Sequence, residues 1–321
     1  MLTGFDKPFN QAPSLHIALL VCLWVLFLRR LRGIGRWVLH GWFALIVVSV
    51  LTTYQHHFID VPTGFWVGWI CVWLFPATGP SLLASVSFTN DSRRRSLAVR
   101  YVLAALAIAI AAMYLGGWAL WLLWPAGSLA LVAVIYAFLD AAAFQKRADG
   151  SMSAAAWWLF APYFLGVRLN SRWWTRSSAA ADVVVPGLLL GRVPTRAETD
   201  GLGVRAIVDV TAELRCALPN VHYVNVPLLD LVAPTMSEIE EAVRAVDAVF
   251  TRGPVLVCCA LGFSRSAVVV ASWLVATGRA PNHAEAIEFI RRARPRVVLE
   301  PAHVMVLERF AQQRNLLDAQ V

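Results

Sequence analysis

The hydrophobic positions of the chain follow two different patterns, and the change between them comes near residue 181. Before it, long apolar runs cover about residues 16–28, 37–54, 64–76, 98–116 and 118–139. A helix needs about 20 residues to cross a bilayer, so these runs predict five transmembrane helices, several of them short. After residue 181 the apolar runs are shorter, and polar turns separate them. The pattern therefore predicts an N-terminal membrane part and a C-terminal globular part.

Short runs of β-branched residues alternate with helical patterns in the C-terminal part. Strands are predicted at 183–190, 204–210, 221–227 and 254–258, and helices at about 236–251, 265–277, 283–293 and 301–315. The strand at 254–258 is apolar on both faces, which is typical of a strand in the middle of a sheet. Strands that alternate with helices predict a mostly parallel α/β sheet, with a ligand site at the carboxyl ends of the strands.

The predicted domain organisation has three parts. Residues 1–140 form a transmembrane helical domain, 141–181 a juxtamembrane linker, and 182–321 the α/β domain. Within the linker, segment 157–165 is rich in aromatic residues but too short to span a bilayer. It is predicted to be an interfacial helix with its aromatic side chains at headgroup depth. The alternative is a hydrophobic linker that packs on the α/β domain.

Basic residues between the apolar runs predict the orientation of the chain in the membrane. They cluster after the first run (Arg29, Arg30, Arg32, Arg36), after the third (Arg93, Arg94, Arg95, Arg100) and after the fifth (Lys146, Arg147, Arg168, Arg172, Arg176). If all five segments cross, the positive-inside rule places these clusters in the cytoplasm, together with the C-terminal domain. The arginine-rich composition suggests a bacterial inner membrane. Residues 182–321 carry 14 arginines and 15 acidic residues, a balance that does not indicate nucleic-acid binding.

The strongest chemical signal is a Cys-x5-Arg-Ser sequence directly after the predicted central strand. It places Cys259 at the end of that strand and Arg265 at the start of the next helix. Backbone N–H groups of such a loop point at a bound anion, and an arginine can hold two phosphate oxygens. This environment favours the thiolate, which is the nucleophilic form of cysteine. The pattern predicts phosphate-monoester hydrolysis through a cysteinyl-phosphate, the alternative being a buried structural cysteine. The predicted phosphate-binding loop comprises Ala260, Leu261, Gly262, Phe263 and Ser264.

Nearly the whole of residues 182–321 resembles the dual-specificity branch of the cysteine-dependent protein phosphatases. The similar stretches are 186–191, 206–213 and 226–230, together with the Cys-x5-Arg loop and Arg294-Pro295. The resemblance implies that Cys259 attacks phosphorus, Arg265 stabilises the transition state and Asp230 protonates the leaving oxygen. It also implies that Ser266 hydrogen-bonds the thiolate and helps it to leave. The alternative for Asp230 is a turn or cap residue.

Other polar residues of this domain are given structural interpretations. Asp209 and Glu213 are interpreted as surface or cap carboxylates. Cys258 stands where the family commonly has histidine, which is expected to change the hydrogen-bond network of the loop without abolishing its chemistry. The vicinal pair Cys258-Cys259, with Cys216 elsewhere, suggests a reversible oxidised form. The cysteine spacing fits neither a zinc site nor a disulfide framework, so neither a metal nor a cofactor is expected.

Two short motifs in the N-terminal part suggest a second candidate site. Pro13-Ser14-Leu15-His16 opens the first apolar run, and His56 and Asp60 precede the third with a spacing that places them on one face of a helix. Residues 10–76 resemble the back half of the type 2 phosphatidate phosphatase superfamily, especially its inositol-phosphorylceramide and sphingomyelin synthase branch. The resemblance implies that His56 is a nucleophile, Asp60 its orienting carboxylate and His16 an acid. The basic motif of that family is missing, so the alternative is a decayed site with polar boundary residues.

The uncharged loop favours a singly phosphorylated substrate, since a polyphosphorylated headgroup would require Lys or Arg there. We therefore expect a membrane-anchored phosphatase of phosphotyrosine, phosphoserine or phosphothreonine proteins. One alternative is a phospholipid substrate such as phosphatidylglycerophosphate, cleaved at the cysteine site or at the outward histidine site. The other is a non-catalytic phosphate sensor. In each case the partners are the phosphorylated substrate and the lipid bilayer.

Overall fold

The computed structural model describes residues 12–53, 57–77, 79–216, 218 and 220–318. Contacts divide the chain into two compact units. The first consists of Met1–Ser87 with Ala154–Leu159, and the second of Phe88–Ser153 with Phe160–Val321. The second unit therefore contains apolar helices as well as the α/β domain. The domain limits at 140 and 181 remain predictions.

Three helices make up most of the first unit: α1 (Leu15–Leu28), α2 (Ile34–Thr52) and α3 (Asp60–Leu74). Helices α1 and α3 pack closely because Gly64 and Gly68 have no side chain at their contact. A Cβ at Gly64 would lie 2.5 Å from the carbonyl oxygen of Ser14, and one at Gly68 would lie 2.7 Å from Cβ of Val21. Small residues spaced by four positions allow such close packing of apolar helices.

The second unit opens with an apolar hairpin of two helices, α4 (Ser92–Leu115) and α5 (Leu123–Phe138). A 3₁₀ segment, Gly117–Leu122, precedes α5, and the turn uses positive φ angles at Gly116 and Gly117 (61° and 52°). Asp91 caps the start of α4 by accepting from the N–H groups of Arg93 and Arg94. Many apolar side chains of α4, such as Leu103, are exposed, as expected of a surface that faces lipid.

Helices lie at all five positions where transmembrane spans are predicted, but they do not all have the length of a span. Among the described residues, three are long and apolar enough to cross a bilayer: Ile34–Thr52, Ser92–Leu115 and Gly117–Phe138. Helices α1 and α3 have only 14 and 15 residues. The five predicted spans are thus reduced to three candidates.

Helix α6 (Ala154–Thr175) is much longer than the segment 157–165 predicted from its aromatic residues. It continues because polar residues beyond Leu165 are used for contacts with the α/β domain. The hydroxyl of Ser171 donates to the carbonyl of Ala260 at 2.5 Å, and Arg172 donates to the carbonyl of Val193 at 3.3 Å. The C-terminal half of α6 therefore packs on the α/β domain, and the role of segment 157–165 stays a prediction.

A mixed five-stranded sheet forms the centre of the α/β domain, in the order β1-β2-β5-β3-β4. The strands are β1 (Ala181–Val185), β2 (Leu188–Arg192), β3 (Ala206–Thr211), β4 (His222–Leu228) and β5 (Val255–Cys259). The pairs β2–β5, β5–β3 and β3–β4 are parallel, which confirms the mostly parallel α/β prediction. The single strand predicted at 183–190 is wrong, because Pro186-Gly187 makes a turn there with φ of 87° at Gly187. Strands β1 and β2 instead form an antiparallel hairpin.

Helices cover the sheet in the positions that the sequence pattern predicts, with one addition. They are α7 (Arg196–Leu202), α8 (Met236–Phe250), α9 (Arg265–Ala276), α10 (His283–Ala293) and α11 (Pro301–Asp318). The short helix α7 was not predicted, although Thr195 and Glu198 form a capping box at its start. All five residues of β5 are buried, because apolar clusters cover both faces of the sheet.

A buried ion pair ties the segment between α5 and α6 to the sheet. Nζ of Lys146 lies 2.6 Å from Oδ2 of Asp209, and their side chains are 1% and 0% exposed. The same nitrogen donates to Thr211, and the hydroxyl of Tyr223 donates to Asp209 at 2.9 Å. The interpretation of Asp209 as a surface or cap carboxylate is wrong, since this carboxylate lies in the core and is neutralised by a distant lysine.

We expect Lys146→Met to lower the free energy of unfolding by about 3–5 kcal/mol, because it leaves the buried Asp209 carboxylate without a counter-charge. The measurement is chemical unfolding of the full-length protein in detergent micelles. The matched control is Arg147→Met, at an adjacent exposed position. Equal midpoints for the two variants would contradict the prediction.

Candidate active site

The candidate nucleophile lies where the central strand ends. Cys259 is the last residue of β5, and the loop 260–264 leads directly into α9, whose first residue is Arg265. The N–H group of Val193 donates to the carbonyl of Cys259 at 2.9 Å, which fixes the strand end against the neighbouring strand. This is the carboxyl edge of the parallel strands, where the sequence pattern predicts the ligand site.

The carbonyl groups of this loop are turned outward, away from the sulfur. The hydroxyl of Ser171 donates to the carbonyl of Ala260 at 2.5 Å. The guanidinium of Arg294 donates to the carbonyls of Leu261 at 3.3 Å and Gly262 at 2.9 Å. The N–H of Val298 donates to the carbonyl of Phe263 at 2.9 Å. Arg294 is itself buried, and Asp182 neutralises it at 2.5 Å. Since the carbonyls are engaged outside the loop, its N–H groups are left to face inward. Such an arrangement at a helix N-terminus binds anions.

Gly262 makes the tight course of the loop possible. Its φ of 73° lies in the left-handed region that favours glycine. A Cβ here would lie 2.3 Å from the carbonyl carbon of Gly191, so a side chain would also collide with the neighbouring strand. Glycine is therefore required at this position for two independent reasons.

Two groups direct hydrogen bonds at the sulfur of Cys259. The N–H of Gly262 and the hydroxyl of Ser266 both donate to Sγ, each at 3.2 Å. Both donors are buried, and together they fix the position of the sulfur. The structure thus places Ser266 where the family resemblance implies that it should act.

Arg265 is buried, with only 2% of its side chain exposed, and carboxylates surround it. Its two terminal nitrogens donate to the two oxygens of Glu213 at 2.7 and 3.1 Å, and one also donates to the carbonyl of Leu228. Oδ1 of Asp230 lies 3.0 Å from Nη2. Burial lowers the pKa of Arg265, but the nearby carboxylates of Asp230 and Glu213 more than offset this and raise it well above its ordinary value.

The two carboxyl groups beside Arg265 respond differently to the same surroundings. Burial raises the pKa of Glu213, but the two-point ion pair with Arg265 outweighs it and leaves that pKa below its usual value. Burial also raises the pKa of Asp230, and here the effect prevails over the opposing charge of Arg265, with the charge of Glu213 adding to it. A pair of carboxyl groups whose pKa values are pushed apart in this way is typical of a site with one fixed anion and one proton donor.

A cavity of about 530 Å³ opens in front of the loop, and its walls differ in character. One wall contains the Cys259–Arg265 segment, Asp230 and His303. The lining also contains helical residues, both apolar and polar: Tyr101 on α4, Pro125 and Leu129 on α5, and Pro162, Tyr163, Gly166, Val167, Asn170 and Ser171 on α6. Cys259, Arg265 and Asp230 therefore line one cavity together with side chains of two candidate membrane-spanning helices.

The second candidate site lies in the first unit and is described only in part. His16 is exposed near the start of α1, and Asp60 is buried at the start of α3, where its Oδ2 accepts from the N–H of His57 at 2.9 Å. His56 lies outside the described residues. Helix α3 begins at Asp60, and the spacing expected between His56 and Asp60 stays a prediction. The phosphatidate phosphatase resemblance of this part remains a prediction.

The cysteines next to the nucleophile do not share its environment. Burial raises the pKa of the Cys258 thiol well above its ordinary value, and the charge of Asp209 adds to this. Cys258 also packs in the apolar cluster on the opposite face of the sheet from Cys259, as neighbouring residues in a strand must. All five cysteines are free. The reversible oxidised form suggested by the vicinal pair remains a hypothesis.

Sequence reasoning missed several residues that shape the site. Glu213 was interpreted as a surface or cap carboxylate, but its side chain is 2% exposed and anchors Arg265. A signal was present: Glu213 follows β3, which neighbours β5, and the carboxyl ends of parallel strands meet at one edge. Ser171 and Tyr136 lie far away along the chain, and their role depends on tertiary contacts alone.

Comparison with known proteins agrees with this geometry. Residues 189–313 match the family model of the dual specificity phosphatase catalytic domain. The C-terminal half of the chain is a dual-specificity phosphatase catalytic domain. The chain therefore contains a cysteine-based phosphatase domain.

Individual relatives cover this half of the chain. The phosphatidylglycerophosphate phosphatase PTPMT2 of Arabidopsis thaliana is 28% identical over 158 residues, which is 46% of this chain and 66% of the relative, slightly under two thirds of its length. The crystal structure of PTPMT1 is 23% identical, with a TM-score of 0.40, covering 44% of this chain and 99% of that one. The crystal structure of human DUSP28 is 25% identical, with a TM-score of 0.39, covering 44% of this chain and 99% of that one.

We expect Glu213→Gln to lower kcat for p-nitrophenyl phosphate by at least about 10-fold, because Arg265 loses its charged two-point anchor and its fixed orientation. Steady-state kinetics of the full-length protein in micelles provides the measurement. The matched control is Glu288→Gln, which removes an exposed carboxylate 2.5 Å from Arg292 and should leave kcat unchanged. Equal kcat values for the two variants would show that Glu213 has no such role.

Proposed function

We propose that this protein hydrolyses the phosphomonoester of a membrane phospholipid through a cysteinyl-phosphate on Cys259. One observation carries the proposal: residues of α4 and α5 line the cavity in front of the phosphate-binding loop, among them the apolar Pro125 and Leu129. Helix α4, and α5 together with the 3₁₀ segment before it (Gly117–Phe138), are long and apolar enough to cross a bilayer. A substrate in this cavity has its phosphate at the loop and its remaining atoms against helices that reach into lipid.

The composition of the cavity favours a lipid over the phosphoprotein that the sequence led us to expect. The residues that a non-reacting part of the substrate would contact include Pro125, Leu129 and Pro162, which are apolar. Apolar walls with a few polar groups at one end suit an amphipathic ligand that is held at its polar end. A phospholipid would contact both the phosphate-binding loop and the apolar residues of the cavity, whereas a phosphoprotein would depend mainly on the loop.

The loop favours a headgroup with a single phosphomonoester. Ala260, Leu261, Phe263 and Ser264 carry no charge, so Arg265 is the cation that the loop segment offers to the substrate. A second phosphomonoester on the headgroup would require additional Lys or Arg side chains. The name of the Arabidopsis relative supports the same class, so phosphatidylglycerophosphate is the substrate that we propose to test first.

The proposed reaction has two steps. In the first, the Cys259 thiolate attacks phosphorus, the S–P bond forms as the P–O bond to the lipid alcohol breaks, and Asp230 gives its proton to the leaving oxygen. In the second, Asp230 takes a proton from water, the water oxygen bonds to phosphorus and the thiolate leaves, releasing inorganic phosphate. Ser266 stabilises the departing thiolate by donating to Sγ.

Arg265 would stabilise the transferring phosphoryl group in both steps. Its Nε is buried and has no hydrogen-bond partner among the described residues, so this donor is available for a phosphate oxygen. Its contact with Asp230 would have to open as phosphate enters, whereas the two bonds from Glu213 can persist and hold the guanidinium in place. The electrostatic contribution of such a fixed donor is large because water is excluded.

We also propose on which side of the membrane the catalytic domain lies. Basic residues Arg93, Arg94 and Arg95 begin α4 beside the α/β domain, and the positive-inside rule places such clusters in the cytoplasm. We therefore assign the catalytic domain to the cytoplasmic face of a bacterial inner membrane.

For Asp230→Asn we expect kcat on the lipid substrate to fall about 100-fold, because a proton donor for a basic alkoxide is lost. In the wild-type protein the raised pKa of Asp230 keeps the acid protonated to higher pH, so activity falls only as pH rises through that pKa. The pH profile of kcat should lose this descending limb in the variant. Asp247→Asn, at an exposed position on α8, is the control and should keep it. A descending limb that survives in Asp230→Asn would exclude Asp230 as the acid.

Substrate class is tested with vesicles that contain phosphatidylglycerophosphate and, separately, with phosphotyrosine and phosphoserine peptides. We expect kcat/KM for the lipid to exceed that for the peptides by about 100-fold, since binding energy of the apolar part contributes to catalysis. Cys259→Ser should abolish activity on all substrates, and Cys71→Ser, an exposed cysteine of α3, should not. A preference for peptides would overturn the lipid assignment and leave the cysteine chemistry intact.

A further inference from the structure

We propose that Tyr136 and Arg93, which lie on the two helices of the apolar hairpin, are positioning residues for the acid Asp230. They hold the backbone of the segment that carries this residue, so that its carboxyl group faces Cys259 and Arg265. The inference rests on the proposed role of Asp230. With this positioning, proton donation by Asp230 depends on helices α4 and α5, whereas nucleophilic attack by Cys259 does not.

Tyr136 contacts the acid directly. It lies near the end of α5 and is completely buried, and its hydroxyl donates to the backbone carbonyl of Asp230 at 2.9 Å. Its ring is 5.5 Å from that of Tyr101 on α4, so the neighbouring helix restricts its rotation. A fixed donor on the carbonyl of Asp230 restricts the peptide group from which the carboxyl side chain extends.

Arg93 holds the next residue along the segment. Its Nε donates to the carbonyl of Leu231 at 3.2 Å, and its Nη2 lies 3.1 Å from Oε1 of Glu300, just before α11. Leu231 has a φ of 58°, in the left-handed region that is unfavourable for leucine. A strained residue next to a reactive one persists only where surrounding contacts hold it, and Arg93 supplies one of them.

The two helices act on the segment as one body. Arg94, next to Arg93, reaches across to the end of α5 and donates to the carbonyls of Ile135, Tyr136 and Leu139, with distances of 3.3 Å to Ile135 and 3.1 Å to Tyr136. It therefore ties the start of α4 to the residue that holds Asp230. Movement of one helix without the other would break these partly buried hydrogen bonds.

A positioning role has a signature that differs from loss of structure. General acid catalysis matters most when the leaving group is a strong base and little when it is a weak one. A displaced Asp230 should therefore impair cleavage of phenyl phosphate, whose leaving group is the more basic, and spare p-nitrophenyl phosphate. Loss of folding or of Cys259 reactivity would impair both substrates equally.

The experiment compares kcat for these two aryl phosphates in the full-length protein in detergent micelles. We expect Tyr136→Phe and Arg93→Gln each to lower kcat for phenyl phosphate about 10-fold. Each should keep kcat for p-nitrophenyl phosphate within about 2-fold of the wild-type value. Matched controls are Tyr114→Phe, which alters an 89% exposed tyrosine of α4, and Arg95→Gln, which alters an exposed neighbour of Arg93. Both control variants should have the kcat of the wild-type protein on both substrates.

A double-mutant cycle identifies the residue through which Tyr136 acts. In an Asp230→Asn background, Tyr136→Phe should cause no further loss on phenyl phosphate, because the acid that it positions is already absent. A full additional loss in that background, an equal loss on both substrates, or no loss at all would each overturn the inference. If the wild-type protein turns over p-nitrophenyl phosphate and Cys259→Ser does not, the cysteine mechanism stands whatever the hairpin variants show.

Discussion

A buried guanidinium group determines how the catalytic site is arranged. Arg265 begins α9 beneath the phosphate-binding loop with 2% of its side chain exposed. An isolated charge at that depth would cost several kcal/mol, so the ends of neighbouring strands must supply compensation. Glu213 after β3 does so with two hydrogen bonds, and the carbonyl of Leu228 at the end of β4 adds a third. Asp230 then comes within 3.0 Å of the same group. The need to neutralise one arginine thereby brings Asp230, Cys259 and the loop 260–264 to one edge of the sheet.

The catalytic unit of this protein is larger than the domain that the family model covers. The matched residues are 189–313, but the compact unit also includes Phe88–Ser153 and the chain from Phe160 onward. Residues before the matched domain neutralise Asp209 in its core, bind the carbonyl of Ala260 in its loop and form one wall of its cavity. The apolar helices of the second unit are therefore structural parts of the active site, in addition to any role as membrane anchors.

This construction suits chemistry at a lipid surface. A phosphate group requires a polar binding site, whereas the rest of a phospholipid requires an apolar surface. The cavity is lined both by the phosphate-binding loop and by apolar residues such as Pro125 and Leu129. A separate soluble domain on a flexible tether could provide the first environment but not the second. If the proposed lipid substrate is correct, α4 and α5 contribute to its recognition as well as to attachment to the membrane.

Local patterns determined much of this protein. The apolar runs predicted where the N-terminal helices lie, the alternation of strands and helices predicted the parallel sheet, and Cys259 with Arg265 predicted the phosphatase chemistry, because each depends on residues close together in the chain. Pairings across long distances in sequence were decided only by the tertiary structure. The partner of Asp209 is 63 residues away, that of Arg265 is 52 residues away, and Tyr136 reaches Asp230 across 94 residues. A carboxylate in a sequence looks the same whether it is solvated or buried, and only packing removes the water that makes its partner necessary.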